Sequence, residues 1–239
     1  MNQAKAKAIL EAADYLRQNG LYIMDDDTAE KVAALKFKPG MGLEAIENEY
    51  ATTLYEIMDD YANSDRPITS FRNRYYRAAN DAMNLAVSAG WTDGGANGPI
   101  PSELQDWVNE RIAQERDFIG GMFADLREMR PTATPDEMAS FINARAEGYT
   151  ASLEGVYLQG KAYALGERPG VWRLGATEEH CQSERGTMGC AELDGQVHPI
   201  RWYVEKGYIP RQAGSQRITC AGFHCDCGVY DPDTGEQLL

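Results

Sequence analysis

The stretch "TPDEMASFINARAEGYTASLEGVYLQGKAYALGERPG" (residues 134–170) holds a long helical pattern and the point where that pattern stops. Thr134 and Glu137 form a T-x-x-E capping box, and Pro135 stands at the first helical position, where its missing N–H costs nothing. Met138, Phe141, Ile142, Tyr149, Leu153, Val156 and Tyr157 follow at spacings of three and four, which predicts one helix ending near Gly166. At "GERPGVWRLG" (166–175) the periodicity ends. Gly, Pro, Cys and Trp take over, with the short β-prone runs "GQVHPI" (195–200), "RITC" (217–220) and "GVY" (228–230). The break divides the chain into a helical region, 1–167, and a small Cys-rich module, 168–239.

The upstream part reads as helix throughout. In "LEAIENEYATTLYEIMDDYA" (43–62), Leu43, Ile46, Tyr50, Leu54, Ile57, Met58 and Tyr61 make one apolar stripe, with carboxylates on the other faces. A second helix is expected from about Ile68 to Ala89, with Gly90 as its C-terminal stop. The loop "GWTDGGANGPIP" (90–101) leads to Ser102 and Gln105, an S-x-x-Q capping box. Leu104, Trp107, Val108, Ile112, Ile119, Met122, Phe123 and Leu126 supply the buried face of the helix that follows. Gly120-Gly121 predicts a bend or a close helix contact there. Helices of about 25 and 30 residues are roughly 37 and 45 Å long. That length suits a long hairpin, or a bundle reaching toward a partner. The fold class expected is therefore mainly α, with an elongated helical region and a small C-terminal α+β module.

Composition narrows the function. The 239 residues are 43% hydrophobic and 25% charged, an ordinary globular balance. The N-terminus lacks the continuous apolar run of a secretory leader, and no stretch approaches the roughly 18 apolar residues of a membrane span. Net charge is −14, with 16 Lys+Arg against 27 Asp+Glu in 1–167 and 7 against 10 in 168–239. Neither part is basic, so strong direct nucleic-acid binding is not expected. Asp25-Asp26-Asp27 before Thr28 reads as a helix cap rather than a cation site. Neither a Gly-rich phosphate loop nor a nucleophile elbow appears.

All five cysteines lie after position 180: Cys181, Cys190, Cys220, Cys225 and Cys227. An odd count in a chain with no leader favours thiolate ligands over a disulfide framework. A structural zinc bound by four of these thiols, or by three with His180 or His224, uses most of the cluster. Buried free thiols, a disulfide and a catalytic thiol are the alternatives. The weak point is the first pair, since Cys-x₈-Cys is not a tight knuckle. Glu178-Glu179-His180 lacks an HExxH pattern, which argues against a hydrolytic metal. Trp172, Trp202 and Tyr203 read as core of the module.

Taken in order, "VWRLGATEEHC" (171–181), "CAELDGQVHP" (190–199), "WYVEKGYIP" (202–210) and "CAGFHCDC" (220–227) resemble the C-terminal signature of the Mu-type minor head proteins of tailed bacteriophages, the phage head morphogenesis family. The resemblance covers about residues 150–227. It implies that Cys181 and Cys190 are the family's paired cysteines, and that Cys220, Cys225 and Cys227 are its closing ligands. "QSERGTMG" (182–189) is inserted between the first pair, where the family usually has two residues. Had that insertion carried Cys181 out of the site, His180, His198 or His224 would have to replace it. The resemblance further implies a structural, non-enzymatic virion component of the head interior or head-tail vertex, bound to portal or capsid proteins, present in few copies (a homo-oligomer around the portal among the arrangements) and acting in head assembly or DNA delivery. The rival readings are a zinc-ribbon nucleic-acid binder with a basic face from Arg168, Arg173, Arg185, Arg201, Lys206, Arg211 and Arg217, and a metal-dependent hydrolase using Glu178 or Glu179.

Overall fold

The computed structural model describes residues 40–63, 68–176, 180–212, 216–222 and 226–239. Asp25, Asp26, Asp27, Thr28, Glu178, Glu179, His224 and Cys225 lie outside the described residues. Four long helices come first: α1 (Leu43–Asn63), α2 (Ile68–Asp93), α3 (Ser102–Met129) and α4 (Pro135–Leu165). The module follows as β1 (Pro169–Arg173), α5 (Cys190–Leu193), β2 (Val197–Pro199), α6 (Ile200–Lys206) and β3 (Gly228–Tyr230). The protein is thus mainly helical, with a small antiparallel sheet near its C-terminus, of strand order β2-β1-β3. Among the described residues no helix is long and apolar enough to cross a membrane.

The stripe expected on α1 is buried as a set from Ile46 to Tyr61. Successive helices run antiparallel, as cross-helix pairs require: Arg74 to Asp60 at 2.6 Å, Arg145 to Asp125 at 2.8 Å, and the Tyr149 hydroxyl to the Phe118 carbonyl at 3.3 Å. Edge-to-face rings of Tyr61, Phe71, Phe123, Tyr75 and Tyr149 tie the four helices together. The capping box of α4 is formed. The Glu137 N–H donates to Thr134 Oγ1 at 3.3 Å, and the Thr134 N–H donates to Glu137 Oε2 at 2.8 Å.

Three sequence expectations are corrected. Gly90 does not end α2, which continues to Asp93; Gly90 is instead a contact point with α4. A Cβ at Gly90 would lie 1.9 Å from the Tyr157 carbonyl oxygen, one at Gly160 2.3 Å from that of Val87, and one at Gly94 2.5 Å from Ala164 Cβ. The small residues let the α2 and α4 backbones touch. Second, Ser102 makes no capping bond. The Gln105 amide turns inward and donates to Asn84 Oδ1 at 3.0 Å, because buried Asn84 is the partner that would otherwise lack a donor. Third, α3 runs unbroken through Gly120 and Gly121, and both glycines face open space.

Glu115 occupies an inward position of α3 that the apolar pattern skips, and is 2% exposed. Burial pushes its carboxyl up to about 7, against the pull of Arg111. Its charge acts on the phenols of Tyr50, Tyr75 and Tyr149. Burial, and secondarily the charge of Glu115, raises the Tyr149 phenol to about 12.

Two outcomes follow from this packing. Gly90→Ala should destabilise the protein by about 2–3 kcal/mol despite the better helix propensity of Ala, because backbone must move. Gly120→Ala, in open space, should stabilise it by about 0.5–1 kcal/mol. Denaturant melts of the two variants check the pair. Separately, Glu115 holds its proton to a higher pH in the fold than in the unfolded chain, where 4.5 is ordinary. Stability contributed by the neutral form is therefore present at pH 4.5 and falls as pH rises toward about 7, by on the order of 2 kcal/mol. Asp81, raised to about 6 by burial, adds to the same fall. Melts across pH 4–8 should show the decline, and Glu115→Gln should flatten the larger part of it.

Candidate metal centre

β1 is the central strand of the sheet. It pairs Val171 with Val197 on one side and Trp172 with Val229 on the other. Trp172 is fully buried and packs on Tyr203, whose hydroxyl donates to the carbonyls of Gly170 and Gln196 at 3.2 and 2.9 Å. Burial, offset in part by hydrogen bonding from the Trp172 and His198 backbones, pushes the Tyr203 phenol to about 12. Both residues are core, as expected. Trp202 is half-buried and stacks on His198 at 3.7 Å, and His198 Nε2 lies 3.1 Å from Gln196 Oε1. His198 therefore serves an aromatic stack.

The inserted loop 182–189 closes on itself and returns the chain to its starting point. Glu184 and Thr187 form a bridge, the Gly189 N–H donates to Ser183 Oγ at 2.9 Å, and the Ser183 N–H is held by the Glu192 carboxylate at 3.1 Å. A Cβ at Gly189 would come within 2.4 Å of the Ser183 nitrogen, so glycine permits the closure. Cys190, the first residue of α5, then lies beside Cys181. Its N–H donates to Cys181 Sγ at 3.2 Å, and the Ala191 N–H donates to the Cys181 carbonyl at 3.3 Å.

"RITC" forms no strand of its own. Met188 and Ile218 make a single bridge, with Met188 N–H to Arg217 carbonyl at 2.8 Å and Thr219 N–H to Met188 carbonyl at 3.0 Å. The chain then turns through Ala221 at φ 51° and Gly222 at φ 73°. That turn delivers Cys220, whose Sγ is 4.0 Å from Cys190 Sγ.

Cys181, Cys190 and Cys220 thus converge, their sulfurs all within 4.8 Å of one another. A tetrahedral ion with metal–sulfur bonds of about 2.3 Å requires sulfurs about 3.8 Å apart, so the donor set fits an ion of that kind. Electrostatics agree with the geometry. Burial raises the Cys181 thiol, but the N–H and S–H groups of Cys190 and Cys220 aimed at it outweigh this and hold it below the ordinary thiol range. N–H groups directed at sulfur stabilise a thiolate, the form that binds metal. The triad is an integral part of the module, since Cys190 belongs to the same core as Trp172, Leu193, Ile200 and Tyr203.

His180 and Cys227 are placed together in a second group with Asp226, a residue that the cysteine pattern does not single out. Three of the seven arginines and lysines proposed for a basic face are engaged by carboxylates: Arg168 by Asp231 at 2.9 Å, Arg201 by Glu167 at 3.1 Å, and Arg211 by Glu154 at 2.7 Å. The chain matches no family model, no curated protein and no solved structure.

Cys220→Ser should abolish the sulfur-to-metal charge-transfer absorption of the triad in the Co(II)-loaded protein and loosen the module, leaving the helical circular dichroism of the bundle largely intact. Undiminished charge transfer in that variant would remove the triad as a metal site.

Proposed function

We propose that this chain is a structural minor head protein of a tailed bacteriophage, its helical bundle docked on portal or capsid subunits and its C-terminal module held rigid by zinc at Cys181, Cys190 and Cys220. The observation that carries the reading is the convergence of these three sulfurs within 4.8 Å, despite the eight-residue insertion that separates the first two. The order of the four segments that resemble the Mu-type signature supports the phage assignment, and the position of Cys181 beside Cys190 and Cys220 is compatible with it despite the insertion. Zinc suits thiolate donors, needs no redox partner, and as a structural ion contributes folding free energy to a module of this size. The place of Cys190 in the module's small core supports a structural role for the site. The carboxylate partners of Arg168, Arg201 and Arg211 weaken the alternative of a nucleic-acid-binding face.

The virion role is tested by quantitative mass spectrometry of purified particles, counting this chain against the portal protein. A fixed low ratio is expected of a head component. Absence from the particles would overturn that role while leaving the metal centre to be judged on its own measurements.

A further inference from the structure

We infer that the module has a second divalent-metal position, formed by His180, Asp226 and Cys227 and distinct from the three-thiol centre. One donor atom from each of these residues lies within 4.8 Å of the other two, and the two triads share no residue. Cys227 Sγ is 3.7 Å from His180 Nδ1. An ion bound tetrahedrally at about 2.3 Å from sulfur and about 2.0 Å from nitrogen requires a separation of about 3.5 Å between them. Adjacent residues, His180 and Cys181, therefore send their side chains to two different centres.

The position is built into the fold from both sides. Cys227 is 1% exposed and leads directly into β3, whose Val229 pairs with Trp172 of the central strand. Asp226 is exposed, but its carboxylate rests against the backbone at Gly175, where any Cβ would come within 2.0–2.4 Å of it. Glycine at 175 is what allows the carboxylate to sit there. The burial of Cys227 argues against the other chemistry this trio suggests, a thiol nucleophile with imidazole and carboxylate, because a substrate cannot reach the sulfur. A metal ion is small enough to enter from the Asp226 side.

Mixed nitrogen, oxygen and sulfur donors favour zinc and its borderline neighbours over magnesium or calcium, which take oxygen ligands. On binding, the Cys227 thiol loses its proton to solvent, and sulfur, imidazole nitrogen and carboxylate oxygen each donate a lone pair to the ion. With one exposed carboxylate ligand, this ion exchanges with solvent more readily than one held by the three thiols. The inference draws on the metal reading of the first triad only for the number of ions, and not at all on the virion role.

The test is Zn(II) titration of the full chain with metal counting by mass spectrometry, repeated on Asp226→Asn, His180→Gln and Gly175→Ala. Two ions per parent chain are expected. Each variant should weaken the second equivalent by more than about tenfold, a loss that even removal of a partner behind the ligands can bring. Gly175→Ala should do so with every donor still present. With one equivalent of Co(II), which fills the three-thiol centre first, the charge-transfer band and the helical circular dichroism should be unchanged, separating loss of a ligand from loss of the fold. One ion in the parent, or two ions bound equally well by all three variants, would overturn the second position alone. No bound ion would overturn it together with the metal reading of the three thiols.

Discussion

The contact between α2 and α4 governs the arrangement of the helical part. Gly90, Gly94 and Gly160 remove the side chains that would otherwise hold the two helices apart, so that main chain meets main chain. Because α2 and α4 are separated by the antiparallel α3, they run parallel to each other, and one seam sets their axial register along its length. Tyr157 illustrates the effect: its carbonyl faces Gly90, and its hydroxyl donates to Asp93 at 2.9 Å, one turn further along α2. A slip of either helix would bring a Cβ against backbone and break that bond. Helix propensity, by contrast, would favour alanine at all three positions.

The module is organised by a different constraint. Its sheet is three short strands, too small to bury much on its own, and its core is completed by α5, α6 and the last residues of the chain. Leu239 accepts the Val229 N–H at 3.0 Å, and Leu238 is buried beside it. Asp231 caps the turn between these segments, receiving the N–H groups of Asp233 and Thr234 as well as Arg168. Those contacts hold its carboxyl down at about 2. The thiol triad then fastens two loops that the sheet does not reach, 181–190 and 217–220. In a unit with so little regular structure, such loop contacts carry much of the specificity of the fold.

Local signals are legible in the sequence, and those that depend on a distant partner are less so. The Thr134–Glu137 box forms because both partners are three residues apart and nothing competes for them. Ser102 and Gln105 present the same pattern, but Asn84, far away in sequence, offers the Gln105 amide a buried acceptor, and a local rule has no view of it. Gly90 looks the same in sequence whether it ends a helix or admits a neighbour; only the position of α4 distinguishes the two. Glu115 is hidden by its charge, since a carboxylate at an inward position resembles a gap in the stripe. For the metal centre, the residue types were legible and the grouping was not. An eight-residue gap between Cys181 and Cys190 suggests separation until the bridge at Glu184 and Thr187 is seen to close it. Asp226 lies between two cysteines that drew attention to themselves.

One helix belongs to both halves of the molecule. Val156 and Gly160 of α4 face the bundle, while Leu158 and Ala162, on the intervening positions, are part of the module's core. The strand that follows begins only four residues after the helix ends, with Gly166 as its cap. No free linker therefore intervenes. A pull or twist applied to the module is carried straight into α4, and through its glycine contacts into α2. The protein behaves mechanically as a handle fixed to a shaft, and a force strong enough to detach the handle must first unwind the end of the shaft.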